Sequence, residues 1–385
     1  MDQEQILRDR LAGLGAPPSV ITIDWALPAA RRRARRRRRA AALAGVGTAL
    51  AVGALVAVPK LVLGGGPAPG PALPAATPTA TREPVCTVVA LPLPSGATGV
   101  AGAGVDPTGR YILGHTDDAG QDFHPVLWTD GVAARLSMPT RSVQLTDVNS
   151  AGVVVGLAGG DGAEDRVFRY AGGRYTMLKM PSGNWHPYPE PRINEAGDVL
   201  INAEPAGNSG GAGTIVLLWP AGSTTPTKLP LPKGASGHDL ADDGSVVGGI
   251  VRDGVVDSAW VWDRTGKGHR LSTPKGKQSS ALAVSGDWVT GGIWESGDTV
   301  LWDRRTGAVA ADLAADSDPG IAVNAAGLMI DSEGRLIRDG RVTELPAGGA
   351  GRAARASAVS DSGLVVGVVT ETNGDRVAGA TAWQC

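Results

Sequence analysis

Apolar residues come in short runs along most of this chain, and small polar turns break them at nearly even intervals. The stretch Thr146-Asp-Val-Asn-Ser-Ala-Gly-Val-Val-Val-Gly156 shows the unit, with the turn Asn149–Gly152 between two short strands. The pattern returns six more times, at Val105–Gly109, Ile193–Gly197, Leu240–Gly244, Val284–Gly286, Val323–Gly327 and Val359–Gly363. The turn glycines are 43, 45, 47, 42, 41 and 36 residues apart. In the second unit two further strands follow, Arg166–Tyr170 and Arg174–Leu178, joined by Ala171-Gly-Gly173. Four antiparallel strands in a repeat of this length make a propeller blade. The expected fold class is therefore all-β, a seven-bladed β-propeller.

An aromatic residue closes the third strand of six units: Trp128, Tyr170, Trp219, Trp262, Trp302 and Trp383. The sixth unit has Leu336-Ile-Arg338 there instead, and its fourth strand is expected at Arg341–Leu345. These aromatics read as packing between neighbouring blades and not as a ligand box. The seventh unit stops after its third strand, at Cys385. One strand is left over, Cys86–Pro94, before the first unit, and it is expected to close the ring. Aligned on the third unit, Cys385 falls on Ala221 and Cys86 on Thr224, the two ends of a hairpin turn. Turn ends lie within 7 Å, which is within reach of a disulfide. A Cys86–Cys385 bridge would replace the missing turn in an oxidising compartment. Two free buried thiols are the alternative.

Motifs such as Val148-Asn-Ser-Ala-Gly-Val-Val-Val-Gly156 and Trp260-Val-Trp-Asp-Arg-Thr-Gly266 resemble the HAF-type repeats of bacterial extracellular propeller proteins. The resemblance covers residues 86–385. It implies blades and implies no activity.

Charge divides the chain. Residues 1–39 carry ten Arg against four acids, a net +6. The whole chain is −2, so residues 40–385 sum to −8. A mildly acidic repeat region argues against nucleic acid as its partner. Arg31–Arg39 holds eight Arg in nine positions, and twenty residues without charge follow, Ala40 to Pro59. Twenty helical residues span about 30 Å, the hydrocarbon thickness of a bilayer. The expectation is one transmembrane helix over 40–63 that contacts membrane lipid. Residues 1–39 then form a cytoplasmic, largely disordered basic tail, and the C-terminal domain is extracellular. A cleaved signal peptide is the alternative, though its apolar region is usually shorter. Residues 64–84, rich in Pro, Ala, Gly and Thr, form a linker. The propeller then occupies 85–385.

Chemistry is sparse. The five histidines lack the spacing of a metal site, so no metal and no cofactor is expected. Gly207-Asn-Ser-Gly-Gly211 fits the nucleophile-elbow pattern but lacks a strand before it and a helix after it. The tight turns read as blade punctuation on one face. The non-repeating loops on the other face are where binding is expected. Among them Asn184-Trp-His-Pro-Tyr-Pro-Glu190 holds two of the chain's sixteen aromatics. Trp185, His186, Tyr188, Glu190 and His238 are the candidate ligand-binding residues. A loop tacked down by its own aromatics is the plain alternative. The functional expectation is a membrane-tethered binding module, a sensor or envelope scaffold, monomeric, with an extracellular protein, peptide or glycan as ligand. The alternative is an extracytoplasmic lyase or hydrolase working at the channel mouth, seeded by His186 and His238. No catalytic residue is assigned.

Overall fold

The computed structural model describes residues 86–385, apart from 98, 119–121, 161–162, 208–210, 253–254, 295, 311–316 and 372–376. The tail, the expected helix over 40–63 and the linker lie outside the described residues. Among the described residues no helix is long and apolar enough to cross a membrane.

Seven antiparallel sheets form seven blades. Blade 2 shows the plan, with strands Ser142–Val148, Val154–Gly160, Ala163–Ala171 and Arg174–Met177 running from the inside out. The first strands of the seven blades are Ala101–Val105, Ser142–Val148, Trp185–Ile193, Ala235–Leu240, Ser279–Ser285, Gly320–Val323 and Arg352–Val359. Blade 6 has its fourth strand at Arg341–Thr343, within the expected stretch. Blade 5 has three strands, and beyond them the described residues contribute only the bridge Trp302–Val309.

Blade 7 closes as the two cysteines foretold. Its order from the outside in is Thr87–Ala90, Val377–Gln384, Leu364–Glu371, Arg352–Val359. Thr87 pairs with Gln384 and Ala90 with Thr381. Cys86 and Cys385 are disulfide-bonded, with Cα atoms 4.3 Å apart. The bond closes a loop spanning a sequence separation of 299.

The apolar core is divided among the seven junctions between blades. One cluster, for example, joins Val155, Leu157 and Val167 of blade 2 to Val199, Leu217 and Trp219 of blade 3. Trp128, Trp219, Trp262, Trp302 and Trp383 are all buried below 2 % exposure. Each large ring fills the wide outer part of a wedge between two sheets. Four of them also reach back to the preceding blade. The indole N–H of Trp128 donates to Pro92 O at 2.6 Å, Trp219 to Lys179 O at 3.1 Å, Trp302 to Ser272 O at 2.7 Å and Trp383 to Pro346 O at 2.8 Å. Burying such a ring without a partner for its N–H costs free energy, and these bonds avoid that.

Near the axis the wedge narrows and polar links take over. Asn149 and Asn194 begin successive turns and are almost fully buried. The side-chain oxygen of each accepts from the backbone four residues on, Val153 N at 3.0 Å and Asp198 N at 2.9 Å. Their amide N–H groups donate to the same position of the next blade, Asn149 to Asn194 O at 3.2 Å and Asn194 to Ala241 O at 3.1 Å. Asn324 repeats this between blades 6 and 7, donating to Ser360 O at 2.9 Å. The turn asparagine therefore shapes its own turn and bonds the next blade. All seven turn glycines have positive φ, between 55° and 88°.

Every first strand carries a register irregularity two or more residues before its turn. This bulge explains the last glycine of the repeat motif. A Cβ on Gly156, Gly248, Gly291 or Gly367 would lie 1.9–2.0 Å from a first-strand carbonyl oxygen. Blade 3 has Ile201 at this position and makes a wider detour. Tyr188 pairs with Asn202 and Arg192 with Leu200, so Pro189, Glu190 and Pro191 stand against one residue.

Two outcomes follow for stability. Asn194→Ala leaves buried partners unpaired and is expected to cost about 1–3 kcal/mol, read as a lower urea midpoint. Gly248→Ala drives a methyl into Ser236 O and is expected to cost a similar ~1–3 kcal/mol; an unchanged midpoint would mean that the bulge relaxes freely.

Candidate functional site

A channel of about 790 Å³ runs down the axis, lined by all seven first strands. One end is rimmed by turn residues, among them Pro107, Ser150, Glu195, Asp242, Gly286, Ala325 and Asp361. The repeated turns thus border the central opening. They also link to one another there. Glu195 accepts from Ser150 N at 3.1 Å, Asp242 from Glu195 N at 3.1 Å and Asp361 from Ala325 N at 2.7 Å.

The residue just after each bulge points to the chemistry. In blades 1 to 7 these are Gly104, Asp147, Arg192, Asp239, Ala283, Ala322 and Ala358. Their partners in the second strands, Leu113 to Val366, are equivalent, so the seven share one level of the channel. Three adjacent blades present carboxylate, guanidinium and carboxylate. The other four present Gly or Ala. Glu190, carried in by the blade 3 detour, joins the charged side. It accepts from Gln144 Nε2 at 3.2 Å and lies 3.6 Å from Arg192 Nη2.

Both aspartates are tied to backbone. Asp147 accepts from Val148 N and from Ile193 N of the next blade, each at 2.9 Å. Asp239 accepts from Leu240 N at 2.9 Å and from Val284 N of the next blade at 2.8 Å. Burial in the channel wall pushes the Asp147 carboxyl up to about 7, against the pull of Arg192 and with the push of Asp239. Asp147 still borders the channel's solvent-sized space, and by surface it is only half-buried. Burial raises Asp239 too, again against Arg192. Burial works against the charge of Arg192, but Glu190, Asp147 and Asp239 outweigh it and hold the guanidinium charged.

The five residues expected from sequence do not gather at one place. The stretch Asn184–Glu190, expected as a loop, is largely strand, Trp185–Ile193. Trp185 packs against the junction of blades 2 and 3 and donates to Ser182 O at 3.1 Å. His186 stands opposite Glu204 in the sheet. The Tyr188 hydroxyl bonds Thr214 Oγ1, and burial raises the Tyr188 phenol. Of the five, Glu190 lines the channel, while Trp185, His186, Tyr188 and His238 do not. His238 is a bulge residue. Its Nδ1 contacts Ala281 O of the next blade at 2.7 Å, and its Nε2 contacts Ser236 Oγ at 3.2 Å. A carbonyl can only accept, so Nδ1 carries a proton. Burial lowers the His238 pKa, which suits a neutral ring acting as a strut. Thr146 and Ser357 do the same from their bulges, donating to Pro191 O at 2.7 Å and Gly102 O at 3.1 Å. Ser209 lies outside the described residues. Among the described residues no group of three or more His, Cys, Asp and Glu is arranged to hold a metal ion.

Asp147, Arg192 and Asp239 are not among the candidate residues expected from sequence. Each lies two residues before its turn, in a column that is Gly or Ala in the other four repeats, and that contrast was the signal.

Solved structures with the same architecture include an oligogalacturonate lyase from Vibrio parahaemolyticus. It is 9 % identical over 73 % of this chain and 88 % of its own, with a TM-score of 0.50. An oligogalacturonate lyase in complex with manganese is 11 % identical over 78 % of this chain and 96 % of its own, with a TM-score of 0.53. At such identity the likeness shows the propeller fold alone. No family model and no curated protein matches the sequence.

A titration tests the channel geometry. Asp147 is expected to take up a proton near pH 7, seen in its carboxyl ¹³C resonance and assigned by loss in Asp147→Asn. Its folded-state pKa is raised, so its stabilising contribution is full below about pH 4 and lost as pH rises through about 7. A midpoint near 4 would show that channel water solvates the carboxylate fully.

Proposed function

We propose that this protein is a membrane-tethered extracytoplasmic binding module. In this reading residues 40–63 cross the membrane once, 1–39 stay in the cytoplasm, and 64–84 hold the propeller off the outer surface. The ligand is a protein or peptide segment that presents a basic side chain to the turn-rimmed mouth of the channel.

The charge of the lining carries this reading. Glu190, Glu195, Asp242, Glu333 and Asp361 line the channel against Arg192 and Arg355, beside Asp147 and Asp239, whose charge burial reduces. Arg355 is itself engaged with Glu333 at 3.7 Å. A cleft of one sign with low-dielectric walls concentrates ligands of the other sign. The Gly and Ala wall leaves room for a side chain beside the charged one.

A second reading keeps one specific support. Burial raises the Asp147 carboxyl to about 7 beside Asp239, the range that an acid–base group in a lyase or hydrolase uses. Product released from a cell-wall polymer by the wild type and not by Asp147→Asn would favour it.

The binding reading is tested with the full chain in nanodiscs and two synthetic peptides, one Lys/Arg-rich and one Glu-rich. Only the basic peptide is expected to bind, more weakly at higher salt. Glu195→Gln and Asp242→Asn are each expected to weaken it roughly five-fold, ~1 kcal/mol. Equal binding of both peptides, or of neither, would remove the reading.

A further inference from the structure

We propose that the Cys86–Cys385 bond is a reducible latch on one strand, whose opening releases Thr87–Ala90 and leaves the rest of the propeller folded. The proposal does not depend on what the channel binds.

The two strands joined by the bond are held very differently. All four residues Thr87–Ala90 are exposed, Val88 at 49 % and Val89 at 38 %. They meet the sheet through four register pairs on one side only. No side chain of this strand enters the core. Its neighbour Val377–Gln384 is held from within. It pairs along Leu364–Glu371 from Gln384 to Val377. Ala382 and Trp383 are fully buried, and the Trp383 indole donates to Pro346 O at 2.8 Å. A single isolated strand pairing without a buried face is marginal in water. Apart from Cys86 itself, which packs in the cluster between blades 6 and 7, the bond therefore supplies the hold that burial does not. Past Ala90 the chain is fixed again, because Leu91 packs at the junction of blades 7 and 1 and Pro92 O accepts from Trp128. Release is thus confined to a few residues at the point where the preceding chain reaches the ring.

One of the two cysteines borders solvent. Cys86 is 5 % exposed. Cys385 is half-buried and lines a surface pocket of about 390 Å³ between blades 6 and 7. A thiolate of a dithiol reductant attacks the Cys385 sulfur, the S–S bond breaks, and Cys86 leaves as thiolate. The reductant's second thiolate attacks its own sulfur in the mixed disulfide and expels the Cys385 thiolate, leaving the reductant oxidised as a cyclic disulfide. Two electrons pass to the protein. Opening uncovers the edge of Thr381–Gln384, a row of backbone groups to which an extended segment can add.

Hydrogen exchange on the full chain in nanodiscs, with and without a dithiol reductant, tests the latch. Amides of 87–90 are expected to exchange at least ten-fold faster after reduction, while those of Val365–Val369 and of the other blades keep their protection. The double variant Cys86→Ser with Cys385→Ser, held oxidising, is expected to show the same pattern. Unchanged protection at 87–90 would show that pairing alone holds the strand. Loss of protection across blades 6, 7 and 1 would show that the bond holds the ring and not one strand. Either result overturns the proposal.

Discussion

Seven sheets set around an axis must be joined where there is least room to join them. At the outer part of five of the seven wedges a tryptophan fits, and burial of a large ring supplies the adhesion. At the axis the first strands crowd, and a Cβ on Gly102 would meet Val366 at 2.6 Å. A ring of that size cannot fit at that spacing. Short polar groups can, and the chain uses them at three positions: the turn asparagines, the bulge side chains Thr146, His238 and Ser357, and the aspartates just after the bulge. Each reaches the backbone of the following blade. Bonds of this kind hold because they are shielded and because a missing partner is costly.

The same constraint accounts for what was legible in the chain. The turn glycine is required by positive φ, and the glycine of Val-Val-Gly by the carbonyl of the bulge. Both are local demands, so they recur in sequence and announce the blades. Ring closure was legible because the strand arithmetic left one strand over and placed a cysteine at each end of the gap. The stretch Trp185–Ile193 was not, since Pro187, Pro189 and Pro191 argue against a strand. The first strand of a blade, however, is an edge strand facing the channel. Proline lacks a donor, and an edge can spare donors on its free side. The dihedral preference of proline fits the extended chain as well.

The site was less legible than the fold for a related reason. His238 was among the candidate ligand residues, and its neighbour Asp239 was not. The bulge reverses their roles by turning His238 into the wall and Asp239 toward the channel. A one-residue shift of this kind cannot be read from alternation, because it changes which face each side chain takes. Trp185 and Tyr188 likewise serve the junction and the hydroxyl of Thr214, not the channel.

A ring of equivalent positions gives no preferred side by itself. Here the level set by the bulges is Asp, Arg, Asp on blades 2 to 4 and Gly or Ala on the remaining four. Nothing in blade architecture asks for that division. Where Ala283, Ala322 and Ala358 stand, the ring still closes, so the aspartates of blades 2 and 4 are not needed everywhere for closure. Their backbone bonds show how charge is accommodated at this level, with Arg192 between them to offset repulsion. The wider detour of blade 3, which has Ile201 where five other blades have glycine, brings Glu190 to the same wall. At the level of the bulges the departures from Gly and Ala therefore fall on adjacent blades and converge on one side of one channel.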